Sequence, residues 1–171
     1  MKVFLTGFMG SGKTTLGKKL ANYLKYDFID LDKLIEARAG MSIVEYFGKH
    51  GEAAFRELER EVLQSTDYPE NVVVATGGGA PCYGDNMEWM NSKGHVAYLS
   101  LPPKALAARL EPSKADRPLI RHLKGQELVD FIKAKLKERE IFYKQSRFVI
   151  SAADLTAERL AFYLNLSKAL S

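Results

Sequence analysis

Lys2-Val3-Phe4-Leu5-Thr6 runs directly into Gly7-Phe8-Met9-Gly10-Ser11-Gly12-Lys13-Thr14, and Thr14–Leu24 follows with Leu16, Leu20 and Leu24 on one stripe. The first five residues form an apolar run of strand length, and the leucine spacing is that of an amphipathic helix. The eight residues Gly7–Thr14 match G-x-x-x-x-G-K-[ST] at every fixed position. Glycines let backbone N–H groups turn inward around phosphate oxygens, and the following helix offers its positive N-terminus to the same anion. Lys13 adds a cation for the β- and γ-phosphates, and the Thr14 hydroxyl can ligate Mg²⁺. Strand, loop and helix in that order predict nucleotide binding but leave open which reaction the nucleotide serves.

Outward from this unit, short apolar runs alternate with helical patterns. Strands are predicted at Phe28–Asp30, Val72–Ala75, Val96–Ser100 and Phe148–Ile150. Helices are predicted at Asp32–Arg38, Ser42–Ser65 with an interruption around Gly48–Gly51, Asp85–Asn91, Pro103–Leu110, Gln126–Gln145 and Thr156–Lys168. Glu111–Lys124 holds two prolines and no clear periodicity, so it reads as a loop. Alternating strands and helices imply an α/β fold, a parallel sheet covered on both faces. Ligands of such sheets bind beyond the carboxyl ends of the strands. The Gly7, Asp30 and Gly77 segments all lie at such ends, which points to one shared site.

The 171 residues suit one domain, with no repeat, low-complexity tract or linker to divide them. Hydrophobic residues make up 46% and charged residues 27%, an ordinary globular balance. The net charge of +4 is not gathered into a basic stripe, so no nucleic-acid partner is expected; a site for anionic ligands suits the surplus. Cys82 is the single cysteine, which excludes an intrachain disulfide and fits a reducing, cytoplasmic location. The apolar start runs at once into glycines and Lys13, unlike a signal peptide, and no apolar run approaches membrane-spanning length.

Asp30 and Asp32 close the second strand, in Phe28-Ile29-Asp30-Leu31-Asp32. Residues two apart on an extended segment point to the same side. Two carboxylates beside a phosphate loop can hold a metal's water shell and accept a hydroxyl proton. The competing role for Asp32 is as N-cap of the helix over Lys33–Arg38; the phosphate loop upstream favours the metal-side reading.

Two helices carry charge within an apolar face. At about 100° per residue, Phe55, Leu58, Val62 and Leu63 form one stripe; Glu59 falls inside it and Arg56 on its flank. A buried carboxylate needs a partner, and Arg56 three residues back can reach it. Arg139 falls amid Leu128, Phe131, Ile132, Leu136, Phe142 and Tyr143. Inward arginines in a phosphate-binding chain suit capture of a second anion, a carboxylate above all, through the bidentate fork. A structural ion pair or a snorkelling side chain is the alternative. Arg60, Lys133 and Lys137 read as solvated surface.

Thr76-Gly77-Gly78-Gly79 follows Val72–Ala75, and glycines there let backbone approach a ligand closely. Cys82 reads as an inert small residue. In the Glu111–Lys124 loop, Arg117 or Arg121 can close on the charge that develops in phosphoryl transfer, unless the loop is ordinary surface. His50, His95 and His122 show no metal-ligand spacing.

Taken in order, Gly7–Thr14, Asp30-Leu31-Asp32, Phe55-Arg56-Glu57-Leu58-Glu59, Gly77-Gly78-Gly79, Arg117-Pro118-Leu119 and Arg139 with Tyr143 four residues on resemble the shikimate kinase family. That family belongs to the nucleoside-monophosphate-kinase structural group, and the resemblance covers nearly the whole chain. It implies a three-layer α/β/α P-loop NTPase fold with a five-stranded parallel sheet of strand order 2-3-1-4-5. It also implies transfer of the γ-phosphoryl group of MgATP to the 3-hydroxyl of shikimate, on the route to chorismate and the aromatic amino acids. The expected domain is single over residues 1–171, with substrate-binding helices at about 32–62 and a mobile lid at about 111–124, acting as a monomer.

Residue roles follow from the same resemblance. Gly10, Ser11, Gly12, Lys13, Thr14 and Thr15 hold the phosphates, Thr14 ligates Mg²⁺, and Asp30 reaches the metal through water. Asp32 contacts the shikimate hydroxyls and is the candidate base. Arg56 and Arg139 hold the shikimate carboxylate, Gly78 and Gly79 lie along the substrate, and Glu59 orients Arg56. Arg117 enters with the lid to meet the transferring phosphate, and Arg109 matches the position against adenine. Lys13, Asp32 and Arg117 form the catalytic set. The family often has a proline before the last helix, where this chain has Ser151-Ala152-Ala153-Asp154-Leu155-Thr156. The competing readings are a P-loop kinase with a gluconate or nucleotide acceptor and a nucleotide-binding module without transfer activity.

Overall fold

In a computed structural model of the protein, which describes residues 1–166, β1 (Lys2–Thr6) is the centre of the sheet. Its alternation sets the layers. Val3 and Leu5 enter one apolar cluster and Phe4 the opposite one, and all three are fully buried. Parallel neighbours β3 (Val72–Ala75) and β4 (His95–Ser100) flank it, and β2 (Asp27–Asp30) and β5 (Phe148–Ser151) form the edges. The resulting order is β2-β3-β1-β4-β5, as the resemblance implies.

One face of the sheet is covered by α1 (Lys13–Leu24), α5 (Pro103–Leu110), α6 (Gln126–Tyr143) and α7 (Ala157–Tyr163). Leu20, Leu106, Ile132 and Leu160 bring these helices into a single cluster. The other face is covered by α2 (Leu31–Ala39), α3 (Ile43–Ser65) and α4 (Asn86–Lys93), through Ile35, Phe55, Leu63 and Met90. The architecture is therefore three-layer α/β/α.

Several element ends differ from the sequence reading. α3 is broken at Gly51, with φ 82° and ψ 173°, as the glycines around that point suggest. Helix α7 stops at Tyr163, short of the predicted Lys168, which lies outside the described residues. Asn165 takes a left-handed φ of 57°, and the Leu166 N–H returns to the Ala161 carbonyl at 2.8 Å, which closes the helix. The Glu111–Lys124 segment is not irregular throughout: Glu111–Asp116 winds into a 3₁₀ turn started by Pro112. Among the described residues, no helix is long and apolar enough to cross a membrane.

Candidate active site

The turn from β1 to α1 closes around Lys13. Its Nζ donates to the carbonyl oxygens of Gly7 and Phe8 at 2.6 and 3.0 Å, so the side chain folds back over the loop. Burial pushes its pKa down to about 8; Asp32 and Asp30 act against that shift, while Arg117 and Arg139 add to it. Four groups from three distant parts of the chain therefore act on one ammonium. A cavity of about 670 Å³ opens here, with Gly10–Thr15, Asp30, Asp32, Gly77 and Arg117 among its walls. Thr14 and Thr15 are exposed on that wall. Arg109, from α5, spans the loop: it donates to the Ser11 carbonyl at 3.2 Å and to the Ala152 carbonyl at 3.5 Å. Leu155 and Thr156 line the same end of the cavity.

The two aspartates divide the roles that the sequence left open. Asp30 is the N-cap of α2; its Oδ1 accepts from the backbone N–H of Asp32 at 3.0 Å and of Lys33 at 3.4 Å. The capping role considered for Asp32 therefore belongs to Asp30, because α2 begins at Leu31, one residue earlier than predicted. Asp32 lies on the cavity wall, and among the described residues its carboxylate takes no hydrogen bond. Burial, then the charge of Asp30, holds that carboxyl above its usual range, and Lys13 acts in the opposite direction.

Across from the phosphate loop, α3 and α6 bring the inward arginines to the glycine run. Glu59 is buried, 1% exposed, and Arg56 Nη1 donates to its Oε1 at 2.9 Å. Burial raises the Glu59 pKa, partly offset by the charge and the hydrogen bond of Arg56. A Cβ at Gly79 would lie 2.6 Å from both Arg56 Nη1 and Nη2, and one at Gly77 would lie 2.8 Å from Asp32 Oδ1. Side chains at these positions would displace the guanidinium or the carboxylate, so the glycines serve close approach. Arg139 Nη1 lies 3.4 Å from where a Cβ of Gly78 would sit, and its guanidinium is 5.7 Å from the Phe8 ring. Tyr143, one turn on, donates from its hydroxyl to the Gly78 carbonyl.

Lys13, Asp30, Asp32, Gly78 and Arg117 thus meet in one cavity, with Arg56, Arg139 and Gly79 packed beside it. Arg117 is partly buried, whereas Arg121 is exposed on the following turn and lies off the cavity wall. Cys82 is partly buried, and burial pushes its thiol pKa up to about 11, which suits an inert role. Arg60, read as solvated surface, is exposed but pairs with Asp85 at 2.9 Å. Sequence reasoning missed Tyr83 and Glu52. The Tyr83 ring lies 4.0 Å from the Arg56 guanidinium carbon, and its hydroxyl donates to Glu52. The four-residue spacing of Glu52 and Arg56 was the available signal.

Comparison with known proteins gives the same answer from another direction. The family model "Shikimate kinase" matches residues 9–167. A shikimate kinase of Bacteroides fragilis is 48% identical over 155 residues, covering 91% of this chain and 87% of its own. The crystal structure of a shikimate kinase from Bacteroides thetaiotaomicron superposes with a TM-score of 0.92 at 44% identity, covering 97% of this chain and 99% of that one. One from Acinetobacter baumannii, solved in complex with shikimate, gives 0.83 at 34% identity, over 99% and 95% of the two chains. With the phosphate loop, both aspartates and both inward arginines in one place, and relatives matching over most of their length, the chain belongs to the shikimate kinase family.

Proposed function

We propose that the protein transfers the γ-phosphoryl group of MgATP to the 3-hydroxyl of shikimate, giving shikimate 3-phosphate and ADP. The observation that carries this reading is the pair of inward arginines, Arg56 and Arg139, packed against Gly79 and Gly78 beside the Lys13 cavity. A phosphate loop alone serves any P-loop kinase; a second, guanidinium-built anion site next to it suits an acceptor with a carboxylate.

Gly10, Ser11 and Gly12 turn backbone N–H groups to the phosphates, with Thr15 at the start of α1. Lys13 leaves its carbonyl partners for the β- and γ-phosphates, and Arg109 lies along the adenine. Arg56 and Arg139 fork the shikimate carboxylate, Gly78 and Gly79 line the ring, and Asp32 accepts the proton of the attacking hydroxyl. Arg117, on a lid at about 111–124, meets the migrating phosphoryl group. The helices at about 32–62 form the acceptor side of one domain.

Thr14 and the carboxylates of Asp30 and Asp32 share a cavity wall, and Asp30 already raises the pKa of its neighbour. Such a hard-oxygen set, strained by like charge, fits Mg²⁺: Thr14 would hold it directly and Asp30 through water. When bound, Mg²⁺ neutralises charge on the phosphate oxygens. The protein would act as a monomer in the cytoplasm.

A coupled assay of ADP release tests the reading, with shikimate, gluconate and nucleoside monophosphates offered in turn against ATP alone. Shikimate should raise the rate by orders of magnitude. A preference for gluconate or a nucleotide, or no stimulation at all, overturns it.

A further inference from the structure

Arg56 is held on more sides than Glu59 accounts for. Its guanidinium carbon lies 4.0 Å from the centroid of the Tyr83 ring, nearer than to Phe55 at 5.2 Å or Phe47 at 6.0 Å. The Tyr83 hydroxyl donates to Glu52 Oε1 at 2.9 Å, and that same oxygen lies 3.6 Å from Arg56 Nε. Glu52 follows the Gly51 break directly and stands one helical turn before Arg56. Tyr83 is carried by the 3₁₀ turn Ala80–Cys82, which follows Gly79. One short loop therefore presents Gly79 to the guanidinium nitrogens and Tyr83 to the guanidinium face.

The register of that loop is pinned further along. Arg60 Nε donates to Asp85 Oδ1 at 2.9 Å, and Gln64 Nε2 donates to Asp85 Oδ1 and Asn86 Oδ1 at 2.9 and 3.1 Å. Glu52, Arg56, Arg60 and Gln64 are spaced by four along α3, so they form one stripe. Each of the four touches the segment from Gly79 to Asn86. The ring of Tyr83 is 37% exposed and belongs to neither apolar cluster. The core does not need it.

A guanidinium recognises a carboxylate bidentately only when its plane is fixed, and a free arginine side chain has many rotamers to lose. An aromatic face beneath the cation holds that plane and shields it from water. The ordering cost is then met before the ligand arrives. We propose that Tyr83, anchored by Glu52, is a positioning residue for Arg56 and sets how strongly the site prefers a carboxylate-bearing acceptor over its uncharged counterpart. This rests on the reading that Arg56 holds the shikimate carboxylate.

The test measures dissociation constants for shikimate and its methyl ester by calorimetry, with kcat and KM for shikimate, in wild type, Y83F, Y83L and R56K. Y83L keeps apolar bulk but loses the π face. It should weaken shikimate about tenfold, leave ester binding and kcat within about twofold, and shrink the shikimate-to-ester preference accordingly. Y83F keeps the face and should stay within about threefold of wild type. A wild-type preference in Y83L, together with a reduced one in R56K, overturns the role of Tyr83 alone. A Y83F loss equal to that of Y83L overturns the stacking argument. An unchanged preference in R56K removes the carboxylate reading, and the proposal with it.

Discussion

Arg56 and Glu59 form an ion pair of 2.9 Å in which the acid is the more deeply buried member, its side chain 2% exposed against 15% for the arginine. The carboxylate has given up its water for a partner that still reaches toward Gly79. Removing it would leave a guanidinium without its fixed neighbour, while removing the arginine would leave a buried acid without compensation.

Glu59→Ala should therefore destabilise the protein by about 3 kcal/mol, the low end for one-sided loss of a buried pair, because Arg56 keeps some water. Shikimate affinity should fall in the same variant, since Arg56 can then turn away from Gly79. Denaturant unfolding and calorimetry measure the two effects. Wild-type values in both would mean that the pair neither stabilises α3 nor orients Arg56.

The pH dependence follows from the same acid. Burial raises the folded-state pKa of Glu59 above its ordinary value of 4.5. A carboxyl raised in this way contributes stability that is full below the unfolded value and is lost as pH rises through the folded value. Lowering the pH through this window should thus stabilise wild type relative to Glu59→Gln, whose side chain does not titrate. Over the same window shikimate binding should weaken in wild type more than in Glu59→Gln, because the protonated acid releases Arg56. Unfolding free energies of both proteins at several pH values check the sign. A stability difference that does not vary with pH would show that Glu59 titrates alike in folded and unfolded chains.

The strands were legible because their apolar runs are short and bounded by glycines or charges; β1 and β3 fall where the pattern puts them. Glu59 and Arg139 were legible because a charge inside a helical stripe breaks a period. What stayed hidden depended on a single residue of register or on partners distant in sequence. Which aspartate caps α2 turns on a start at Leu31, and two candidate caps two residues apart leave that open. Asp85 lies 25 residues from Arg60, so no local rule joins them. Tyr83 sits in a loop, where an aromatic ring has no period to mark it. Pro112 marked a break, but the 3₁₀ turn it starts needs few residues and leaves no repeat.

Arg139→Lys tests the second half of the proposed carboxylate site. Arg139 stands against Gly78 and the Phe8 ring, so a lysine would keep the charge and lose the fork. The variant should lose about ten- to a hundredfold in kcat/KM for shikimate, with ATP affinity within about threefold. Steady-state kinetics with each substrate varied in turn separates the two. A collapse of ATP affinity would assign Arg139 to the nucleotide or to the P-loop, whose Phe8 it touches.

Arg117 and Asp32 separate a phosphotransferase from a passive nucleotide binder. Transfer to a hydroxyl needs an acceptor for its proton and a cation near the migrating group. Asp32 lies on the cavity wall while Asp30 takes the cap, and Arg117 is already close enough to Lys13 to lower its pKa. The segment that carries Arg117 is tethered by Lys114, whose Nζ donates to the Leu123 carbonyl at 3.0 Å, and by turns onto the Arg117 carbonyl itself. Those bonds hold the turn that carries Arg117 together. Asp32→Asn keeps the shape and loses the proton acceptor, so single-turnover transfer should slow by about a hundredfold or more. Arg117→Ala should slow transfer by a similar factor while ADP affinity stays within about threefold, because its main contact is with charge that appears only during transfer. Rapid-quench measurement of shikimate phosphorylation, beside calorimetry with ADP, reads both. Wild-type transfer in Arg117→Ala with a loss in Arg121→Ala would move the role four residues on, although Arg121 is exposed here. Wild-type transfer in both would remove the lid arginine from the mechanism and leave Lys13 as the cation nearest the phosphoryl group.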